Sequence, residues 1–231
     1  MRPLTLDDAR TAVRAACTRA GVSLVTPDMA SPVRAAVRLV ISATTPLTLA
    51  QVAQRVSFYL PRLASEVVAL LPSSILLAVP SLSLGPTVYL SERAWADPVT
   101  LVGVVAHELG HAAQDAEASR YGTLGGLAHG LAYVSCDLLR SNAEATCYVA
   151  DLSAAVMLGG VAPGAWIDAT LEGLRSTYHL DDHALDHARA VLLSAAGSLA
   201  CHVLHGRDTP FEGILRDLKA RGIDVGAAYL L

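Results

Sequence analysis

The chain has 231 residues, 53% of them hydrophobic and 16% charged, with a formal net charge of −4 and a mean hydropathy of +0.44. That composition excludes a disordered or nucleic-acid-tail reading of the chain as a whole, because it offers enough apolar surface to offset the entropy of ordering. The length suits one compact unit that buries roughly 70% of its unfolded surface without disulfides or a structural metal.

Helix signals come early. Thr5-Leu6-Asp7-Asp8 places a cap before Ala9, Val13, Ala16 and Ala20, and Gly21 ends that helix. Ser31-Pro32 opens a second helix to about Ala43. Thr48-Leu49-Ala50-Gln51 is a capping box for a third, interrupted at Pro61 and resuming to Leu71. Ser74 to Val79 and Thr87 to Leu90 read as short strands, joined by Pro- and Gly-containing sequence. Asp97-Pro98 is an N-cap followed by proline at the first helical position, opening a helix to about Ala118. A Gly-rich patch spans Gly122 to Gly130. Helical pattern returns from about Ala132 to Leu158 and stops at Gly159-Gly160, with further helices over 164–175, 182–204 and 210–221.

Charge is unevenly shared. Residues 1–71 hold eight Arg against Asp7, Asp8, Asp28 and Glu66, and the remainder is acidic. A winged helix-turn-helix fits 48–71 loosely, but the turn lacks its usual Gly and there is no Lys/Arg cluster. The expected organisation is an N-terminal helical segment, 1–71, packed on a core of 72–231. The longest uncharged stretch, Val67 to Ser91, is broken by Pro72, Pro80 and Pro86, so no spanning helix of about 20 apolar residues is read. Asp7, Asp8 and four Arg among the first 20 residues do not resemble a secretory leader, which makes a cytoplasmic location the expectation. Cys17, Cys136, Cys147 and Cys201 form no CxxC and read as buried thiols.

The chemistry is concentrated in His107-Glu108-Leu109-Gly110-His111, an HExxH. Residues four apart on a helix project from one face, so the two imidazoles can share one zinc ion. The intervening Glu is offset around the helix and reaches a water on the metal rather than the metal itself. Val102, Val105, Leu109 and Ala112 form an apolar stripe nearly opposite the histidines, as a helix needs when one side is anchored and the other lines a cleft. Two solvated histidines are the plainer reading. The scarcity of charge on that side, where only Asp115 is charged, argues against it.

A third ligand is required. Ala112, Ala113 and Gln114 continue the helix after His111, leaving no Gly turn to bring in a nearby third His. Asp115 is two turns, about 11 Å, beyond His107, too far to share an ion bound at about 2 Å. Glu144 is the better candidate. Asp137, Ser141, Glu144, Tyr148 and Asp151 form one narrow polar stripe, flanked by apolar residues on one side and small residues on the other. That pattern suits a helix packed against the histidine helix. A solvent face, with Arg140 pairing Glu144, is the competing reading.

Val105 to Gln114 resembles the metal-binding helix of zincin metallopeptidases, and with Glu144 on a later helix it is similar to the gluzincin branch. The resemblance covers about a quarter of the chain. It implies a mostly α, α+β fold with a zincin-like core, in which a small sheet beside the two helices offers an edge strand to extended substrate, here Thr87 to Leu90. It also implies a zinc-dependent peptidase: one Zn2+ on His107, His111 and Glu144, Glu108 as general base, and a peptide or protein substrate. The branch often carries Asp four residues after the ligand Glu, to orient a metal-bound His. This chain has Tyr148 there, so Asp151 is the expected orienting carboxylate. The oxyanion partner is open among Arg175, Tyr178, His179, His183, His187, His202 and His205. His183 and His187 read mainly as a polar helix edge, and His129 as incidental in a Gly-rich loop. A zinc-holding, non-catalytic protein is one alternative. A regulator whose basic N-terminal segment touches nucleic acid is another.

Overall fold

The computed structural model describes residues 2–27, 81–84, 87–201, 203 and 209–225. The helices expected over 31–43 and 48–71, the winged reading and the strand at 74–79 lie outside the described residues. The described chain is mostly helical, with one small sheet. No described helix is long and apolar enough to cross a membrane.

Helix α1 (Leu6–Ala20) begins at a capping box: the Thr5 hydroxyl accepts from the Asp8 backbone N–H, and the Asp8 carboxylate accepts from the Thr5 N–H. Arg2 grips the same carboxylate through both terminal nitrogens at 2.6 and 2.7 Å. Gly21, at φ 67°, ends the helix in the left-handed conformation. Strand β1 (Ser23–Val25) follows. It pairs in parallel with β3 (Thr87–Leu90), which also pairs antiparallel with β2 (Ser81–Leu84).

The sheet order is therefore β1-β3-β2. This corrects the expectation of Thr87 to Leu90 as a substrate-binding edge. Its N–H and C=O groups are engaged on both sides, because β1 arrives from far upstream and takes the position an extended peptide would need. β2 itself forms in sequence read as a Pro/Gly connection.

Helix α2 (Glu92–Ala96) is a single short turn region. Its Trp95 lies beneath the Arg10 and Arg14 guanidiniums, at 4.4 and 5.1 Å from the ring centre. Helix α3 (Pro98–Ser119) starts as expected, with the Asp97 carboxylate accepting from the Thr100 N–H at 2.7 Å and proline in the first turn. The Gly-rich patch is not a loop but helix α4 (Gly122–Ser135). Glycine serves packing there: a Cβ on Gly125 would stand 2.5 Å from the Ala118 carbonyl oxygen, so the tight α3–α4 turn needs its absence. The chain breaks helix at Cys136, which precedes α5 (Asp137–Met157). Helices α6 (Pro163–Tyr178), α7 (Asp182–Ala200) and α8 (Pro210–Ala220) follow.

Two apolar cores result among the described residues. One joins α1, β3, α2, α3 and α8 through Ala12, Val13, Val88, Leu101, Val105, Ile214 and Leu218. The other joins α5, α6 and α7 through Val149, Leu152, Ile167, Leu174, Leu185 and Leu192. Helix α1 thus shares a core with α3 and α8. Helices α3 and α5 lie along the junction of the two cores, and His107, His111 and Glu144 sit in that junction.

Candidate metal centre

The α3–α5 contact is a seam of small residues. A Cβ on Gly103 would stand 2.9 Å from Asp151 Oδ1, and one on Gly110 would stand 3.0 Å from Cys147 Sγ. The missing side chains let α5 approach until its own short side chains reach the histidines. Gly103, His107, Gly110 and His111 fall on one side of α3 at about 100° per residue.

His107 donates from Nδ1 to Asp151 Oδ2 at 2.7 Å. His111 Nδ1 bonds Gln114 Oε1 at 3.1 Å, and Gln114 Nε2 donates onward to the Ala143 carbonyl at 3.1 Å. With each Nδ1 committed to an acceptor oxygen, both Nε2 atoms turn inward, where each offers a lone pair once deprotonated. They lie 3.1 Å apart. Glu144 closes the third side, with one oxygen 3.6 Å from His107 Nε2 and the other 3.5 Å from His111 Nε2. Two nitrogens bound to one tetrahedral zinc at about 2.0–2.1 Å are about 3.3 Å apart, so the separations fit a single small cation. Converging lone pairs and a carboxylate are also the donor chemistry such an ion requires.

The carboxylate of Glu144 is only 1% exposed, which rules out the solvent-face reading. Arg140 pairs instead with Asp137. The Tyr133 hydroxyl on α4 donates to Glu144 Oε1. Glu108 is buried beside the histidines. Cys147, expected as a buried thiol, belongs to this cluster: donor atoms of His107, His111 and Cys147 lie within 4.8 Å of one another. The group is buried and could hold a metal ion. A signal was present, since Cys147 lies one turn after Glu144 and one turn before Asp151 on the same helix face.

Electrostatics follow from the crowding. Burial disfavours charge on His107, but Asp151, then Glu144 and Glu108, outweigh it and lift its pKa to about 10. Burial likewise opposes charge on Glu144, and the two imidazoles, His111 first, hold its carboxyl well below the ordinary range.

Aromatic groups line the site. The Tyr148 ring meets His107 edge-on at 4.6 Å and Trp166 at 6.3 Å. Burial first, then neighbouring carboxylates led by Glu144, keeps the Tyr148 and Tyr178 phenols protonated far above their usual range. Among the other oxyanion candidates, Arg175 pairs with Asp182 at 3.1 Å and His187 with Asn142 at 3.1 Å. His179 is the exposed left-handed residue that ends α6, at φ 52°, and His183 is exposed. His202 and His205 lie outside the described residues. Asp115 is not in the cluster. It pairs at 3.3 Å with His129, which α4 rather than a loop presents.

No protein-family model, curated protein or solved structure matches the chain.

Proposed function

We propose that the chain is a zinc-dependent metallopeptidase, with zinc on His107, His111 and Glu144 and with Glu108 as general base. The observation that carries this reading is the convergence of two imidazole Nε2 atoms and a buried carboxylate from a second helix on one point. Two nitrogens and one carboxylate are a common catalytic zinc set, which leaves a fourth position open. Zinc there would supply a Lewis acid for a peptide carbonyl and would make a water acidic near pH 7.

The chain's own residues do the rest. Glu108 takes a proton from the attacking water and passes it to the departing amine. Asp151 fixes the tautomer and tilt of His107, and Gln114 does the same for His111. Tyr178 is the candidate donor to the developing oxyanion. Its phenol is kept protonated beside the site carboxylates, whereas Arg175 and His187 are engaged elsewhere.

The test is Glu108→Gln, which keeps shape but cannot accept the proton. It should retain metal and fold while losing about 10²–10⁴-fold in peptide cleavage. A broad peptide library is the right substrate, because a single protein samples few sequences. Equal cleavage by wild type and variant, or none by a fully zinc-loaded wild type, would replace this reading with a non-catalytic zinc-holding role.

A further inference from the structure

Cys147 is the one donor in the cluster that the mechanism above does not use. It is buried on α5 between Glu144 and Asp151, on the face that meets α3. Gly110 stands opposite, so close that a Cβ there would be 3.0 Å from the sulfur. The thiol is therefore held against the turn of α3 that separates the two histidines. Its sulfur lies within 4.8 Å of imidazole donor atoms on both His107 and His111. On a tetrahedral zinc, a thiolate at about 2.3 Å and an imidazole at about 2.0–2.1 Å are about 3.6 Å apart. Donor atoms already within 4.8 Å of one another need short side-chain adjustments to reach these separations.

We propose that Cys147 is a thiolate ligand of this centre, filling as a fourth protein donor the position that water or substrate takes when the thiol is withdrawn. The inference rests on the metal site assigned above. It gives the site two states: three protein donors and an open position, or four and none. Open and closed coordination is the distinction between catalytic and structural zinc sites. A soft sulfur donor also makes the centre more selective for thiophilic ions than two imidazoles and a carboxylate alone.

Cobalt(II) replaces zinc and makes the coordination visible. The full chain loaded with cobalt should show a thiolate-to-metal charge-transfer band in the near ultraviolet. The band should vanish in Cys147→Ala with cobalt still bound, and survive in Cys17→Ser and Cys201→Ser. Adding ethanethiol to Cys147→Ala should restore it, because the vacated position accepts an outside thiolate. Cobalt bound to wild type without the band, or a band that persists in Cys147→Ala, overturns the assignment of Cys147 and leaves the His107, His111, Glu144 reading standing. Failure of wild type to take up any metal overturns that reading as well. Should Cys147→Ala not fold, X-ray absorption on the zinc-loaded wild type decides the matter. One sulfur at about 2.3 Å supports the assignment, and a shell of only nitrogen and oxygen at about 2.0 Å overturns it.

Discussion

On one side of α3, Leu101, Val102, Val105 and Leu109 share a core with α1 and α8. On the other, Gly103, His107, Gly110 and His111 face α5. The two sets are centred about half a turn apart around the helix, and they work by opposite means. The first fills space with branched side chains, so its contribution scales with buried apolar volume. The second depends on the absence of bulk, which lets two helix backbones close in and short polar side chains meet. One side holds the helix in place, and the other sets distances within it. Substitutions should therefore separate stability from metal affinity.

The largest effect is expected where a donor is removed. Glu144→Ala should weaken metal binding by more than about 100-fold, beyond the range of outer-shell changes. Asp115→Ala should leave metal binding nearly intact, since Asp115 pairs with His129 outside the cluster. Metal competition titrations measure both, and the reverse ranking would place the third donor on the wrong helix. Next comes bulk on the opposite side. Leu101, fully buried, should cost about 2–5 kcal/mol of folding stability when cut to Ala, with metal affinity per folded molecule unchanged in the same titration. An equal loss of both would mean that the two sides of α3 are not independent.

A smaller effect belongs to the residue that orients rather than ligates. Asp151→Ala should lower metal affinity by about 10–100-fold, because His107 loses the acceptor that fixes its tautomer.

The smallest and most graded effect is that of pH. His107 is held near pKa 10 in the metal-free protein, against an ordinary 6.5. A raised pKa means that protonated His107 stabilises the metal-free fold fully below about pH 6.5. That contribution is lost as pH rises through about 10. Metal must displace this proton, so apparent affinity should rise by about tenfold per pH unit from neutrality toward pH 10. A chelator competition series, corrected for the chelator's own titration, checks the slope. A flat profile would mean that His107 is already neutral.

How much of this was legible depends on sequence distance. Thr5 with Asp8, and Asp97 with Pro98, announce their helices locally, because a cap and its helix are neighbours in the chain. The HExxH pair is legible for the same reason, and Glu144 through the periodicity of its own helix. Strand β1 is too short to show alternation, and its partner lies some sixty residues away, so the loss of the expected edge at Thr87 to Leu90 had no local trace. The Gly-rich patch read as loop because glycine costs a helix about 1 kcal/mol per residue. Close packing of α4 on α3 overrides that preference, and Gly125 is what permits it. Tyr133 leaves no trace in the pattern because it reaches Glu144 from a different helix, and Cys147 leaves little because a small residue beside a polar stripe reads as packing.

The division into two cores also makes the molecule its own optical instrument. The chain carries two tryptophans, and they fall one to each core: Trp95 beneath the Arg10 and Arg14 guanidiniums, Trp166 beside Tyr148, which in turn touches His107. Their emission reports on different halves. A perturbation confined to the histidine junction reaches the indole of Trp166 through one intervening ring, while Trp95 is packed in the other core beneath the Arg10 and Arg14 guanidiniums. Fluorescence from single-tryptophan variants would then resolve, without any added label, whether the halves loosen together or one before the other.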